Sequence, residues 1–130
     1  METMKLDIVT PLGSIFSGEV KSATFPGTEG EFGVLPRHTS LVTLLDAGVV
    51  EIEKIDGEVE SIVIDSGCVK VDEEKTLVIV EGAVAIQGEN ESEIAKSIKE
   101  AKELAKKACT SDYAIANVEA KIDSAAKIRF

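Results

Sequence analysis

The residues of this chain best suited to chemistry are too few, and too far apart, to specify a reaction. His38 is the only histidine, so neither a histidine-based catalytic triad nor a multi-histidine metal site can be built. Glycines cluster at Gly27, Gly30 and Gly33, but the glycine–lysine–serine/threonine ending of a phosphate-binding loop is absent, and turn geometry explains them. We therefore expect no catalytic, cofactor-binding or metal site.

Cys68 and Cys109 are the only cysteines, and they lie far apart in the sequence. A disulfide or a metal site needs an oxidising compartment or further ligands close by. We interpret the two cysteines as buried thiols of a protein in a reducing compartment.

Length and charge limit the class of protein further. A chain of 130 residues makes one ordinary domain, or a small domain with an appendage. The net charge is -10, so nucleic acid is not an expected partner. Residues 1–88 hold 16 acidic and 6 basic residues, whereas residues 89–130 hold 8 of each, which suggests two parts. Without a signal sequence or an apolar run of membrane-spanning length, we expect a soluble protein that meets a membrane only through a partner.

The elements that must position these residues are β-strands up to about residue 86. The expected strands cover residues 4–8, 20–25, 49–55, 59–64, 68–71, 76–80 and 83–86. Asp56-Gly57 fits a tight hairpin turn between two of them. Because no helix alternates with a strand, the pattern predicts an all-β sandwich or barrel.

After Gly88 the apolar period becomes helical. One stripe, with steps of four and three, consists of Ile94, Ile98, Ala101, Ala105 and Ala108. A second, after the break at Thr110-Ser111, consists of Ile115, Val118, Ile122 and Ala125. The pattern predicts a C-terminal antiparallel two-helix hairpin. Its alanine-rich seam buries little area, which favours a part that moves.

The segment 30–38 reads Gly-Glu-Phe-Gly-Val-Leu-Pro-Arg-His and resembles the signature of the epsilon family of rotary F-type ATP synthases. The likeness continues in order through Leu44-Leu45, Ala47-Gly48-Val49-Val50, Ser66-Gly67 and Asp112-Tyr113-Ala114. The resemblance thus extends over nearly the whole chain, and its central stretch is specific.

The resemblance implies a sandwich of about ten strands over residues 1–87, followed by the helical hairpin over residues 88–130. It implies a non-catalytic subunit of the rotor in the central stalk. Such a subunit couples proton translocation through the membrane ring to ATP synthesis and inhibits ATP hydrolysis through its hairpin. The implied partners are the gamma shaft, the ring of c subunits and, through the hairpin, the catalytic beta and alpha subunits. The implied place is peripheral, at the cytoplasmic face of a bacterial plasma membrane.

Site residues follow from the same resemblance. The expected contacts with the shaft are His38, Thr43 and Ser66, and those with the ring are Glu29, Gly30 and Glu31. Lys99, Lys102 and Lys106, three and four positions apart, share one helical face. By the resemblance, this face approaches an acidic segment of the catalytic subunits when the hairpin is extended. The alternative is a solvated face in which Glu103 pairs with Lys99 or Lys107.

The chain departs from the family pattern at two places. Arg37 stands where members often have glycine. Members that bind ATP in the folded hairpin carry an Ile/Leu-Asp-x-x-Arg-Ala motif, whereas residues 91–96 here read Glu-Ser-Glu-Ile-Ala-Lys. Because the aspartate and the arginine are missing, we expect no tight ATP binding.

Two other classes of function compete with this interpretation. A free-standing β-sandwich binding module would explain the composition but not the segment 30–38. A small hydrolase using His38 with Asp46 or Asp65 lacks a nucleophile and a metal set. The sequence leaves open whether the hairpin is folded or extended.

Overall fold

A computed structural model describes residues 2–37, 39–86, 91–108 and 112–128. In that part of the chain nine β-strands precede two α-helices. The elements are β1 (Met4–Thr10), β2 (Gly13–Gly27), β3 (Gly30–Val34), β4 (Leu41–Leu45), β5 (Gly48–Lys54), β6 (Val59–Ile64), β7 (Gly67–Val71), β8 (Lys75–Val80), β9 (Ala83–Ile86), α1 (Glu91–Ala108) and α2 (Asp112–Ile128). The expected fold class, a β-sandwich followed by two C-terminal helices, is confirmed, with nine described strands.

The long strand β2, with 15 residues, belongs to both layers of the sandwich. Its first half pairs with β1, which continues through β8 and β7 to β4. Its second half lies between β3 and β5, and that layer continues through β6 to β9. The pairings are antiparallel except that β1 runs parallel to β8. One strand therefore ties the two layers together.

Aliphatic side chains fill the space between the layers. The inward positions of each strand alternate with solvent-facing ones, as the pleat requires. The largest fully buried members of this core are Leu6, Ile8, Val20, Phe25, Val34, Val50, Ile52, Ile62 and Ile64. Phe25 also contacts the ring of Phe32 across the β2–β3 pair, with centroids 5.7 Å apart.

The two helices pack on the outer side of the layer formed by β5, β6 and β9. A second buried cluster lies there. Its strand side is Val49, Val63 and Ile86, and its helix side is Ala101, Ala105, Val118 and Ile122. The hairpin is thus folded against the sandwich in this structure.

Three strand regions were not predicted from the sequence: the first half of β2, all of β3 and all of β4. Residues 13–19 contain two glycines and little alternation, so their strand character comes from pairing with β1, as in Leu6 opposite Gly18. Cys68 is only partly buried, so its prediction as a buried thiol is wrong, and Cys109 lies outside the described residues.

Two aspartates have pKa values below their ordinary value of 3.8. The pKa of Asp7 is lowered chiefly by a hydrogen bond from the Ser17 hydroxyl at 2.6 Å, with Lys5 and Lys75 adding to it. Asp72 accepts the backbone N–H groups of Glu74 and Lys75 in the β7–β8 turn, and these bonds lower its pKa. The Asp7 carboxylate links β1 to β2 and β8, and the Asp72 carboxylate closes the β7–β8 turn, so both are structural.

In the described part of the chain, neither helix is long and apolar enough to cross a membrane.

Candidate functional site

The described residues contain no group of three or more histidine, cysteine or acidic side chains that could hold a metal ion. Asp65 already has a structural role, because its carboxylate accepts N–H groups from Ser66 at 2.7 Å and Gly82 at 3.0 Å. Asp46 is exposed, and His38 lies outside the described residues. The geometry thus gives no support to a hydrolase built on these groups.

An exposed apolar surface lies on the outer side of the layer that contains β4, β7 and β8. Leu44 is opposite Cys68, which is opposite Ile79, so the three side chains form a row across the strands. Val42, Leu44 and Ile79 are 71%, 64% and 49% exposed, respectively. We call Val42, Leu44, Cys68 and Ile79 the apolar face. Adjoining exposed apolar residues are typical of a contact surface for another protein.

The apolar face extends into a shallow groove at one end of the sandwich. The lining of the groove includes Leu44, Cys68 and Ile79, together with Thr28, Ser66 and Glu81. The backbone N–H of Thr28 donates to the carbonyl of Leu44, so the groove adjoins the turn between β2 and β3. Ser66, expected at the shaft, therefore lies beside the apolar face.

Of the other two expected shaft residues, the structure describes Thr43. Thr43 lies in β4 between Val42 and Leu44, and its register partner is the fully buried Val69. By strand alternation its side chain is on the opposite side from the apolar face. His38 lies outside the described residues. The outward residues of β4, Val42 and Leu44, are therefore not among the expected contacts.

A signal for those residues is present in the sequence. Residues 41–45 and 76–80 are apolar at positions of both parities, whereas a strand with one solvent face carries polar residues at alternate positions. A strand apolar on both sides has its second face covered by something. In β5 and β6 the cover is the helical hairpin. In β4 and β8, no element among the described residues covers the exposed side chains of Leu44 and Ile79.

Glu29, Gly30 and Glu31, the expected ring contacts, form the tip and first strand residues of the β2–β3 hairpin. All three are exposed. Gly30 has a φ of 129°, which L side chains rarely adopt. Its carbonyl oxygen also lies 2.7 Å from where a Cβ on Gly27 would be. The turn thus depends on glycine geometry and presents two carboxylates.

Arg37 has a left-handed backbone with φ of 66°. That conformation favours glycine, which gives a physical reason for glycine at this position in the family pattern. Here the side chain forms an ion pair with Glu2, 3.3 Å from Nε to Oε1, and the backbone N–H donates to Glu73. The arginine is therefore accommodated at the surface.

The three lysines of the expected basic face are not equivalent. Lys102 of α1 pairs with Asp123 of α2, with 2.9 Å between Nζ and Oδ1. Lys99 and Lys106 are exposed on the same helix. The ion pair that forms involves neither Glu103 nor Lys107. In the docked hairpin, Lys102 is thus already paired with a carboxylate of α2.

The start of α1 borders an open groove beside β9. Its lining combines Glu93, Lys96, Ser97 and Glu100 with residues 83–85. Ser92 and Ala95, which stand at the two motif positions, are exposed. Two carboxylates and one lysine make a poor phosphate site, because an anion needs an excess of cationic donors.

The fold and these surfaces together define a class of protein: a β-sandwich with a docked helical hairpin, whose described surfaces suit contact with other chains. The comparisons with known proteins identify the family. The model of the family described as ATP synthase, delta/epsilon chain, beta-sandwich domain, matches residues 3–86. A relative from Nitratiruptor sp., named ATP synthase epsilon chain, is 59% identical over 128 residues, covering 98% of this chain and 99% of the relative. The chain therefore belongs to the ATP synthase epsilon chain family.

A second relative of the same name, from Sulfurovum sp., is 58% identical over 127 residues and covers 98% of each chain. Two solved structures share the fold. One is a chain of the Euglena gracilis mitochondrial ATP synthase, with a TM-score of 0.63, 22% identity, and coverage of 98% of this chain and 81% of that chain. The other is from the Tetrahymena thermophila mitochondrial ATP synthase central stalk and c-ring, with a TM-score of 0.53, 16% identity, and coverage of 84% and 98%. The family resemblance inferred from the segment 30–38 is confirmed.

Proposed function

We propose that the chain is a non-catalytic subunit of the ATP synthase rotor, and that it couples rotation of the membrane ring to ATP synthesis. In this proposal residues 1–87 bind the gamma shaft and the c-subunit ring, and residues 88–130 regulate ATP hydrolysis. The chain is held at the cytoplasmic face of a bacterial plasma membrane only through the complex.

The observation that carries the proposal is the apolar face beside Ser66, in a chain that belongs to the epsilon family. In the isolated chain Leu44 is more than half exposed, and Ile79 is nearly half exposed. Covering them with a partner removes apolar surface from water, which favours association. We assign this face, with its adjoining groove, to the gamma shaft.

The β2–β3 turn supports a separate contact with the ring. Glu29 and Glu31 are exposed carboxylates on a hairpin whose shape depends on Gly30. Basic residues of the ring loops are the complementary chemistry. Because exposed pairs contribute only about 0–1 kcal/mol each, the shape of the turn matters as much as its charge.

The hairpin supports a regulatory role because its docking is modest. Two of the four buried residues on the helix side of the interface, Ala101 and Ala105, are alanines, and alanine buries little area. In the extended state the Lys102–Asp123 pair would break, and the three-lysine face would become free to meet acidic surfaces of the catalytic subunits. We propose that this face acts as an electrostatic brake on hydrolysis.

Bulky substitutions test the assignment of the rotor contacts. Gly30→Val and His38→Trp should reduce co-purification of the chain with the gamma and c subunits. Glu58→Val is the control, since Glu58 is exposed in the turn region between β5 and β6, away from both contacts. Equal tolerance at all three positions would mean that the interface is elsewhere.

A further inference from the structure

One charged contact joins the docked hairpin to the turn region of the sandwich. Lys121 of α2 lies 2.8 Å from Glu31 of β3, measured from Nζ to Oε2, and the side chains are 51% and 50% exposed. The positions three and four residues from Lys121 on its own helix are Asn117, Val118, Ser124 and Ala125, none of them acidic. Glu31 is therefore the carboxylate available to this lysine.

An apolar contact that combines large and small side chains lies next to this pair. Ile122, the residue after Lys121, is fully buried and belongs to the same cluster as Val49 of β5. The fully buried α1 residues of that cluster are Ala101 and Ala105, and Ile98 and Leu104 of the same helix are partly buried against it. An exposed ion pair of this kind shifts the equilibrium between docked and undocked α2 by up to about fivefold.

Glu31 is also a residue of the turn assigned above to the ring. In the β2–β3 register Glu31 is opposite Pro26, directly beyond the exposed tip at Glu29. A basic group of a partner that meets this tip comes within reach of the carboxylate that Lys121 uses. The same carboxylate is therefore open to two competing cations.

We propose that the Lys121–Glu31 pair is a latch that holds α2 in the docked position. A basic group that engages Glu31 from outside releases the latch and favours undocking of the hairpin. The latch itself needs only this chain, whereas the identity of the releasing group as a ring loop rests on the proposed function.

Two neighbouring valines provide matched reporters for the test. Val49 is buried under the hairpin, while Val50, the next residue of β5, is buried in the core between the layers. In a full-length Cys68→Ser, Cys109→Ser background, a Val49→Cys thiol reacts with a labelling reagent when the hairpin undocks. A Val50→Cys thiol reacts only when the sandwich opens.

Neutralising the latch should affect one reporter and not the other. Glu31→Gln, and equally Lys121→Gln, should raise the labelling rate at the Val49→Cys reporter by about 1.5- to 5-fold at low salt. The Val50→Cys rate should not change. The increase should shrink at high salt, where the wild-type pair is screened. Glu58→Gln, an exposed change of the same kind, should leave both rates unchanged.

Reversing both charges, with Glu31→Lys and Lys121→Glu together, should restore slow labelling. The latch is refuted if Glu31→Gln affects the Val49→Cys reporter no more than Glu58→Gln does. It is refuted equally if both reporters accelerate together, because Glu31 would then stabilise the sandwich as a whole.

A tetralysine peptide serves as the probe for release. It should accelerate labelling of the wild-type Val49→Cys reporter toward the Glu31→Gln rate, and have no effect on the Glu31→Gln variant itself. The same acceleration in both, or in neither, contradicts the release step. These tests use the isolated chain, so their failure is separate from a failure of the rotor assignment, which co-purification measures.

Discussion

Ile79 allows the assignment of the apolar face to be tested with a matched control. It is 49% exposed on the β8 side of the face, and Ile55, in the turn after β5, is 46% exposed. Ile79→Ala and Ile55→Ala remove the same atoms from nearly equal degrees of exposure. Any difference between them in partner binding therefore reports position on the surface and not residue type.

The expected size of the effect follows from the exposed fraction. Burying an isoleucine side chain completely contributes about 1.5–3 kcal/mol. Folding has already buried about half of Ile79, so covering the rest by a partner contributes roughly 0.8–1.5 kcal/mol. Ile79→Ala should therefore weaken binding by about 4- to 12-fold.

Leu44 raises the effect to a level that is easy to measure. It is 64% exposed and lies in the same row as Ile79, with Cys68 between them. The double variant Leu44→Ala, Ile79→Ala should lose about 2–3 kcal/mol of binding free energy, or about 30- to 150-fold in affinity. The two sites share a neighbour, so some departure from additivity is expected.

The assay is a calorimetric titration of the purified chain into a complex of the catalytic subunits with the gamma shaft, prepared without this chain. Unfolding midpoints of both variants should be measured alongside, because each truncation also removes a partly buried side chain. The expected result is a similar loss of stability for both and a loss of affinity for Ile79→Ala alone. Equal affinities for Ile79→Ala and Ile55→Ala would refute the assignment of the apolar face.

The remaining predictions concern nucleotide, regulation and pH. The isolated chain should not hydrolyse ATP, since it lacks a phosphate-binding loop; activity that survives rigorous purification would contradict this. Because residues 91–96 lack the motif aspartate and arginine, calorimetry should detect no low-micromolar ATP binding. Replacing Lys99, Lys102 and Lys106 with glutamine should raise ATP hydrolysis by the assembled complex without loss of assembly; if only deletion of residues 89–130 raises it, the brake is steric. The folded pKa of Asp7 lies below 3.8, so its carboxylate stabilises the fold above that pH and loses the effect as pH falls further. Asp7→Asn should lower the urea midpoint at pH 7, and the difference from wild type should shrink as the pH falls below 3.8.

Local signals were sufficient for much of the fold. The Asp56-Gly57 turn places β5 and β6 as a hairpin, and the structure pairs them with Val50 opposite Ile62. The two helices were also predicted from their apolar stripes. The stripe residues Ala101, Ala105 and Ile122 are fully buried, as a period of about 3.6 residues requires. Signals of this kind come from residues close together in the chain.

The missed strands depend on partners that are distant in sequence. β4 pairs with β7, so Leu41 is opposite Val71, and no short-range pattern records that pairing. Docking of the hairpin was also not predicted from the sequence. Val49 and Val50 are neighbouring apolar residues because both faces of β5 are covered. Alternation indicates one buried face; it does not indicate what covers a second one.

The candidate site was only partly predictable for the same reason. The resemblance brought attention to Ser66 and to the turn at Gly30, and the structure places both at exposed ends of strands. The apolar face was not identified because its row of side chains comes from three strands. The Lys121–Glu31 pair joins residues 90 positions apart, which only the folded structure can reveal.

The proposed function makes this chain a part of the ATP synthase rotor. The most direct test is a pull-down of a tagged chain from detergent-solubilised membranes, followed by identification of the subunits recovered with it. We expect recovery of the gamma and c subunits together with the catalytic subunits, and loss of all of them from the Leu44→Ala, Ile79→Ala variant. Recovery of the chain without gamma and c, or with an unrelated partner that tolerates the double variant, would contradict the claim.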